Sequence, residues 1–296
     1  MSFLQALKNE LSRGMLLGRA EIARRRIEPI LADSTPPSAY DSDKIFNALM
    51  QERPPRRAYR YDAHSLKQRG QDRAERLLQL LPSPPASALE IGCGDGMTGV
   101  ALAAHGIQVQ LVDLDDWRDE RSRSLPFSQA DVCEDSPLQL EGAPFDMVYS
   151  YNTFEHLPDP AIAFDKAVRL SGSGGYIYLK FGPLYSSAWG LHAYRTMPIP
   201  YAQFIFSRAF IAEKLTQLGI EDLGTDRETL QYLNEWRLAA YRSLWAQEDY
   251  VVLHERTRPD PGELDIVERY PKAFTGRGLT FEDLITKNVE VLIRKR

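Results

Sequence analysis

From residue 86 onward, short apolar runs alternate with amphipathic stretches. The runs at 87–91 (SALEI), 108–114 (QVQLVDL), 127–132, 145–151 (FDMVYSY), 175–181 (GYIYLKF), 249–256 and 289–294 have strand length and predict seven strands. Between the first two, helical spacing predicts a helix over about 97–105 that ends at Gly106, a residue suited to a left-handed C-cap. Another helix is predicted over about 159–171, ahead of the Gly-rich 172–175. Short strands alternating with helices build parallel βαβ units, so the predicted fold class is α/β, a doubly wound and mostly parallel seven-stranded sheet.

Upstream, Phe3, Leu4, Leu7, Leu11, Leu16, Leu17, Ile22 and Ile27 recur at helical spacing among charges and predict a helix over 1–31. Such an arm packs on the body or on a second copy, the route by which the chain would form a homo-oligomer. A second helix is predicted over 62–81, with Asp62 as its cap, and turn-rich 34–38 and 53–57 read as loops. The chain thus divides into a helical extension, 1–80, and a sheet domain, 81–296. Between the fifth and sixth strands lie residues 182–248, more than a crossover needs. A crossover helix is predicted over 232–247. The aromatic-rich 183–230, with Tyr185, Trp189, Tyr194, Tyr201, Phe204 and Phe206, reads as a cap over the carboxyl ends of the strands, where such sheets bind ligands.

Composition narrows the class. With 43% hydrophobic and 26% charged residues among 296, the chain has ordinary globular make-up, which argues against a disordered tail or scaffold. No apolar run reaches the roughly 20 residues of a membrane span, and the first 30 residues lack the apolar core of a secretion signal, so a cytoplasmic location is expected. Two cysteines, Cys93 and Cys133, are too few for a disulfide framework and suit a reducing compartment. The net charge is −5, with +5 in residues 1–80 and −10 in the remainder, a balance that makes nucleic acid a poor partner.

The segment most informative about chemistry is Leu89-Glu90-Ile91-Gly92-Cys93-Gly94-Asp95-Gly96, which follows an apolar strand and opens a helix. Its glycines let the backbone turn tightly and approach a ligand. The next strand ends at Asp113-Leu114, where a carboxylate can take both hydroxyls of an adenosine ribose. A dinucleotide loop would place its third glycine at position 97, which is Met97. Glu90, two residues before Gly92, would repel a pyrophosphate and attract a cationic amino group. The loop therefore points to S-adenosylmethionine rather than to a nicotinamide cofactor.

Across about 86–181, and more loosely over 249–295, the sequence resembles the class I (Rossmann-like) S-adenosylmethionine-dependent methyltransferases, in their small-molecule (type 11/12-like) branch. The resemblance implies that Glu90, Gly92, Cys93 and Gly94 border the methionine part of the cofactor, Asp113 and Leu114 the ribose, and Asp131 and Val132 the adenine. Ser150 and Tyr151, which end the fourth strand, are expected cofactor contacts too, and they precede a Glu155-His156 segment and a Pro-started helix that are similar to that branch. The Lys-Pro of the branch's Lys-Pro-Gly-Gly turn is replaced in Leu170-Ser171-Gly172-Ser173-Gly174-Gly175. S-adenosylhomocysteine would be the product.

Methyl transfer from a sulfonium gains from alignment and exclusion of water. An oxygen acceptor also needs a base, and histidine suits neutral pH. His192, in the loop after the fifth strand, is the first candidate, and His156 the second; His105 and His254 read as structural. Tyr61 and His64, ahead of the first strand, together with Tyr185 and Trp189 in the cap, are candidate substrate contacts. No Asp/His/Glu cluster has metal-ligand spacing, so no metal site is expected. The function read from these residues is O-methylation of a small molecule or saccharide intermediate. The alternatives are a catalytically silent methyltransferase-like subunit and, further off, a nicotinamide-dependent oxidoreductase.

Overall fold

The computed structural model describes residues 18, 20–55, 60–134, 138–222 and 225–296. A first helix, α1 (20–32), is followed by α2 (Asp43–Glu52) and α3 (Ala63–Leu80). The sheet domain then runs β1 (Ser87–Ile91), α4 (Met97–Ala103), β2 (Gln108–Asp113), β3 (Phe127–Gln129), β4 (Phe145–Tyr151), α5 (Pro160–Leu170) and β5 (Ser171–Phe181). After β5 come α6 (Ala202–Ile205), α7 (Arg208–Leu218) and a hairpin of β6 (Ile220–Asp222) and β7 (Thr225–Arg227). The chain closes with α8 (Leu238–Trp245), β8 (Tyr250–Pro259), α9 (Asp265–Arg269), α10 (Phe281–Ile285) and β9 (Thr286–Lys295).

The seven-stranded sheet has the order β3-β2-β1-β4-β5-β9-β8. Strands β1 to β5 pair in parallel, and β9 runs antiparallel to both β5 and β8. Strand order reverses between β1 and β4, and the crevice at the carboxyl ends of those two strands is where an open α/β sheet receives its ligand. One face of the sheet packs on α3 and α4 through Ala74, Leu77, Leu102, Met147 and Tyr178. The other packs on α5 and α8 through Phe164, Ala167, Tyr241 and Trp245. Each of these large side chains, removed from water, contributes about 1.5–3 kcal/mol.

A third core lies apart from the sheet. It joins Ile27 and Leu31 of α1, Phe46 and Leu49 of α2, residues 188–220 of the predicted cap, and Ile266, Phe274 and Leu284 near the C-terminus. The described part of the N-terminal arm therefore packs on the body; residues 1–17 of the predicted helix lie outside the described residues.

The strands predicted at 175–181, 249–256 and 289–294 run longer, as Ser171–Phe181, Tyr250–Pro259 and Thr286–Lys295, and two further boundaries need correction. The third strand stops at Gln129 rather than 132, because Asp131 turns back to accept the Cys133 N–H (2.7 Å) and takes the chain out of the sheet. The crossover helix covers Leu238–Trp245 rather than 232–247, since Asn234 is tied to the turn after β4.

Candidate active site

The loop from β1 to α4 turns on three left-handed glycines, Gly92 (φ 68°), Gly94 (φ 53°) and Gly96 (φ 69°). Gly92 and Cys93 donate to the Val112 carbonyl, which ties the loop to β2. A Cβ at Gly92 would overlap the Thr153 side chain, so glycine is needed there for packing as well as for φ. At Gly94 a Cβ would meet nothing within 4 Å, so that turn opens on space a ligand can enter.

Carboxyl groups ring this loop. Glu90 is buried and accepts from the Tyr149 hydroxyl (3.0 Å); burial pushes its carboxyl up to about 8, against the pull of Arg73. Asp113 accepts the Gly94 N–H on one oxygen and the Leu114 N–H on the other, both at 2.8 Å; burial raises its pKa against those bonds. Asp95 caps α4 by accepting the Met97 N–H (2.9 Å) and holds Arg69 (3.0 Å). Such a ring disfavours an anionic diphosphate and favours a cationic amino group. Leu114 is 59% exposed at the lip, beside the ring, so an apolar ligand face has a surface to meet there. Asp131 and Val132 sit in the loop after β3, Val132 buried.

Across the crevice, β4 ends at Ser150 and Tyr151, whose hydroxyls donate to the Ile91 and Arg73 carbonyls at 2.8 Å. Asn152 follows in a left-handed conformation (φ 52°), which asparagine tolerates. The turn 152–158 is clamped from behind. Asn234 donates to the carbonyls of Phe154 (2.6 Å) and Leu157 (2.9 Å), and the Tyr241 hydroxyl reaches both Phe154 O and Asn234 Oδ1. Sequence reasoning missed Asn234, whose role depends on a contact some 80 residues away in the chain; no local pattern marks it.

His156 and His192 meet edge to face, with ring centroids 5.0 Å apart. His192, expected as the first candidate base, is mostly buried and packs on His156, the second. Burial, with His156 alongside, lowers its pKa to about 3, and its Nε2 is hydrogen-bonded to the Pro183 carbonyl (2.8 Å). His156 is only partly buried, and its Nδ1 is bonded to Tyr232 O (2.8 Å), which turns Nε2 away from that bond as a proton acceptor. Glu155 is fully buried, takes the Gly182 N–H on Oε1 (2.8 Å), and leaves Oε2 unpaired. The other candidates scatter. Tyr61 and His64 are exposed on α3 and the residues before it; Trp189 is 4% exposed inside the third core, and Tyr185 packs edge-on against Phe204. Among the described residues no group of three His, Cys, Asp or Glu is placed to hold a metal ion, and no helix is long and apolar enough to cross a membrane.

A sequence profile described as a methyltransferase domain matches residues 43–254. The chain is 29% identical over 114 residues to the ubiquinone biosynthesis O-methyltransferase of Xylella fastidiosa, covering 36% of this chain and 46% of that one. It is 34% identical over 103 residues to the enzyme of the same description from Xanthomonas campestris, covering 32% and 43%. The chain therefore spans less than half the length of these curated relatives. Among solved structures, an S-adenosylmethionine dependent methyltransferase from Mesorhizobium loti aligns over 75% of this chain and 96% of its own, at 18% identity and a TM-score of 0.46. A glycine loop ringed by carboxylates, at the switch point of a seven-stranded sheet, lies inside a matched span of more than half the chain: this chain belongs to the methyltransferase domain family.

Proposed function

We propose that this protein methylates an oxygen of a small molecule. The observation that carries the reading is the position of His156, a partly buried imidazole on the turn after β4, at the same end of the sheet as the glycine loop. The O-methyltransferase description of the two bacterial relatives supports oxygen as the acceptor atom. In this reading Glu90 holds the cofactor's amino group, Gly92, Cys93 and Gly94 lie beneath its methionine, Asp113 and Leu114 meet the ribose, and Asp131 and Val132 meet the adenine. The cofactor supplies an electrophilic methyl group bound to a sulfonium.

The chain's own part is alignment, exclusion of water and one proton. His156 Nε2 takes the acceptor's proton, while the Nδ1 bond to Tyr232 O fixes the ring. His192 packs on that ring and sets its angle. In this reading residues 183–222 would cover the acceptor side, and the free thiols of Cys93 and Cys133 suit the cytoplasm. Replacing His156 by Ala should lower turnover on a catechol or phenol acceptor by about 10²–10⁴-fold, the usual yield of a positioned base, with S-adenosylhomocysteine affinity unchanged. Wild-type turnover in that variant, or methylation at nitrogen alone, would sink the proposal.

A further inference from the structure

Beside the glycine loop, the outer face of α3 forms the wall of a cleft of about 480 Å³. Its lining is cationic: Arg60, Arg69, Arg73 and Arg76 from the α3 side and Lys180 from β5, with His64 at one end and Asp72 as the one carboxylate in the wall. Arg69, Arg73 and Arg76 share one helix face and span about 10 Å along the axis. The cleft adjoins the crevice: Arg69 reaches Asp95 of the glycine loop, Arg73 lies 4.9 Å above the Tyr151 ring at the end of β4, and Tyr151 is in register with Lys180.

The cations in this wall are unequally paired. Arg69 is bound to Asp95, and Arg76 is held by both oxygens of Glu290 (2.9 and 3.0 Å). Glu290 also takes the Tyr178 hydroxyl (2.8 Å), so Lys180, 3.7 Å from it and 42% exposed, is loosely paired. Among the described residues Arg73 has no carboxylate within ion-pair distance; its guanidinium lies on an aromatic face. A cofactor with a sulfonium would be repelled by such a row unless an anion lay along it. The cofactor's own carboxylate is one anion, and a row this long exceeds what one carboxylate can span.

We propose that this cleft holds the anionic end of the acceptor, a carboxylate or a phosphate bound by Arg73 and Lys180, while the acceptor's hydroxyl lies in the adjoining crevice. This rests on the methyltransferase reading above and narrows its substrate class to anionic small molecules. The test is calorimetry on the protein saturated with S-adenosylhomocysteine. The probes are 3,4-dihydroxybenzoate, its uncharged amide, and phenyl phosphate, each titrated into wild type, Lys180→Met and Arg73→Gln. At least one anion should bind the wild type about tenfold more tightly than the amide, and whichever does identifies the source. Lys180→Met should abolish that preference while S-adenosylhomocysteine affinity stays within about threefold, and Lys180→Arg should restore it. Equal binding of amide and anions, or no anion binding to the saturated protein, overturns the proposal and leaves the methyltransferase reading standing. A Lys180→Met protein that loses the nucleoside in the same proportion as the anion also overturns it, because the row would then serve the cofactor alone. Failure of wild type to bind S-adenosylhomocysteine would instead remove the functional reading beneath it.

Discussion

Glu90 is a buried carboxyl whose proton a cationic ligand beside it would drive into solvent. With its carboxyl pushed up to about 8 by burial, it is protonated in the free protein at pH 6 to 7, and an ammonium beside it favours the carboxylate. Binding of S-adenosylmethionine should therefore release a proton, and affinity should climb with pH between 6 and about 8, by no more than tenfold per unit. Above that the ligand's α-amino group loses its own charge and the gain ends. The same raised pKa favours folding at low pH, and that contribution is lost progressively as pH rises from the ordinary carboxyl range to about 8. Glu90→Gln keeps a partner for Tyr149 and should bind the cofactor about tenfold or more weakly, with a flat pH profile; titrations in buffers of different ionisation enthalpy check both. Glu90, Gly92, Gly94 and Asp113 were all legible in the sequence, because the loop and the next strand end form a local unit whose spacing carries the chemistry. The burial of His192 and the bonds of the two histidines to the Pro183 and Tyr232 carbonyls were not, because they are tertiary facts.

Elements followed the sequence wherever an apolar run was bounded by turns. Strand β4 matches its predicted span, and α3 and α5 match to within a residue at either end. Misreadings arose where a polar side chain overrode the periodicity, as Asp131 does after β3 and Asn234 does before α8. That physics also gives tests. Asn234→Ala would leave the Leu157 carbonyl short of its donor, with Phe154 O still served by Tyr241, at about 1–3 kcal/mol for the site, and it should lower turnover more than S-adenosylhomocysteine affinity, since Asn234 holds the turn that bears His156. Urea unfolding and steady-state kinetics measure the two effects. Gly70 of α3 packs against the Met97 backbone, where a Cβ would clash. Gly70→Ala should therefore destabilise the fold by about 1–3 kcal/mol as α3 is pushed from α4.

At the scale of the whole molecule, the part hidden from the sequence is the third core. It draws on α1, α2, the stretch after β5 and residues 264–284, and nothing in any one segment announces the other three. The aromatic run 185–210 is therefore largely the interior of this core: Tyr201 and Phe274 meet edge to face with centroids 5.5 Å apart. Phe274→Ala should cost about 3–5 kcal/mol in chemical denaturation. Two distant parts of the chain also meet through Glu290, which Arg76 and Tyr178 hold at about 2 although burial alone would raise it. Its stabilisation is present above the ordinary carboxyl range and fades as pH falls toward 2. Glu290→Gln should lower Tm at pH 7 and lose less Tm than wild type on acidification from pH 5 to 3. The central claim, that the ring of carboxyls around Gly92–Gly96 is a sulfonium nucleoside site, is tested most directly by titrating wild type and Asp113→Ala with S-adenosylhomocysteine and with NAD. Micromolar binding of the nucleoside, weakened about tenfold or more in the variant, with no binding of NAD, is the predicted result. Binding of NAD, or equal nucleoside affinity in wild type and a folded Asp113→Ala protein, would contradict it.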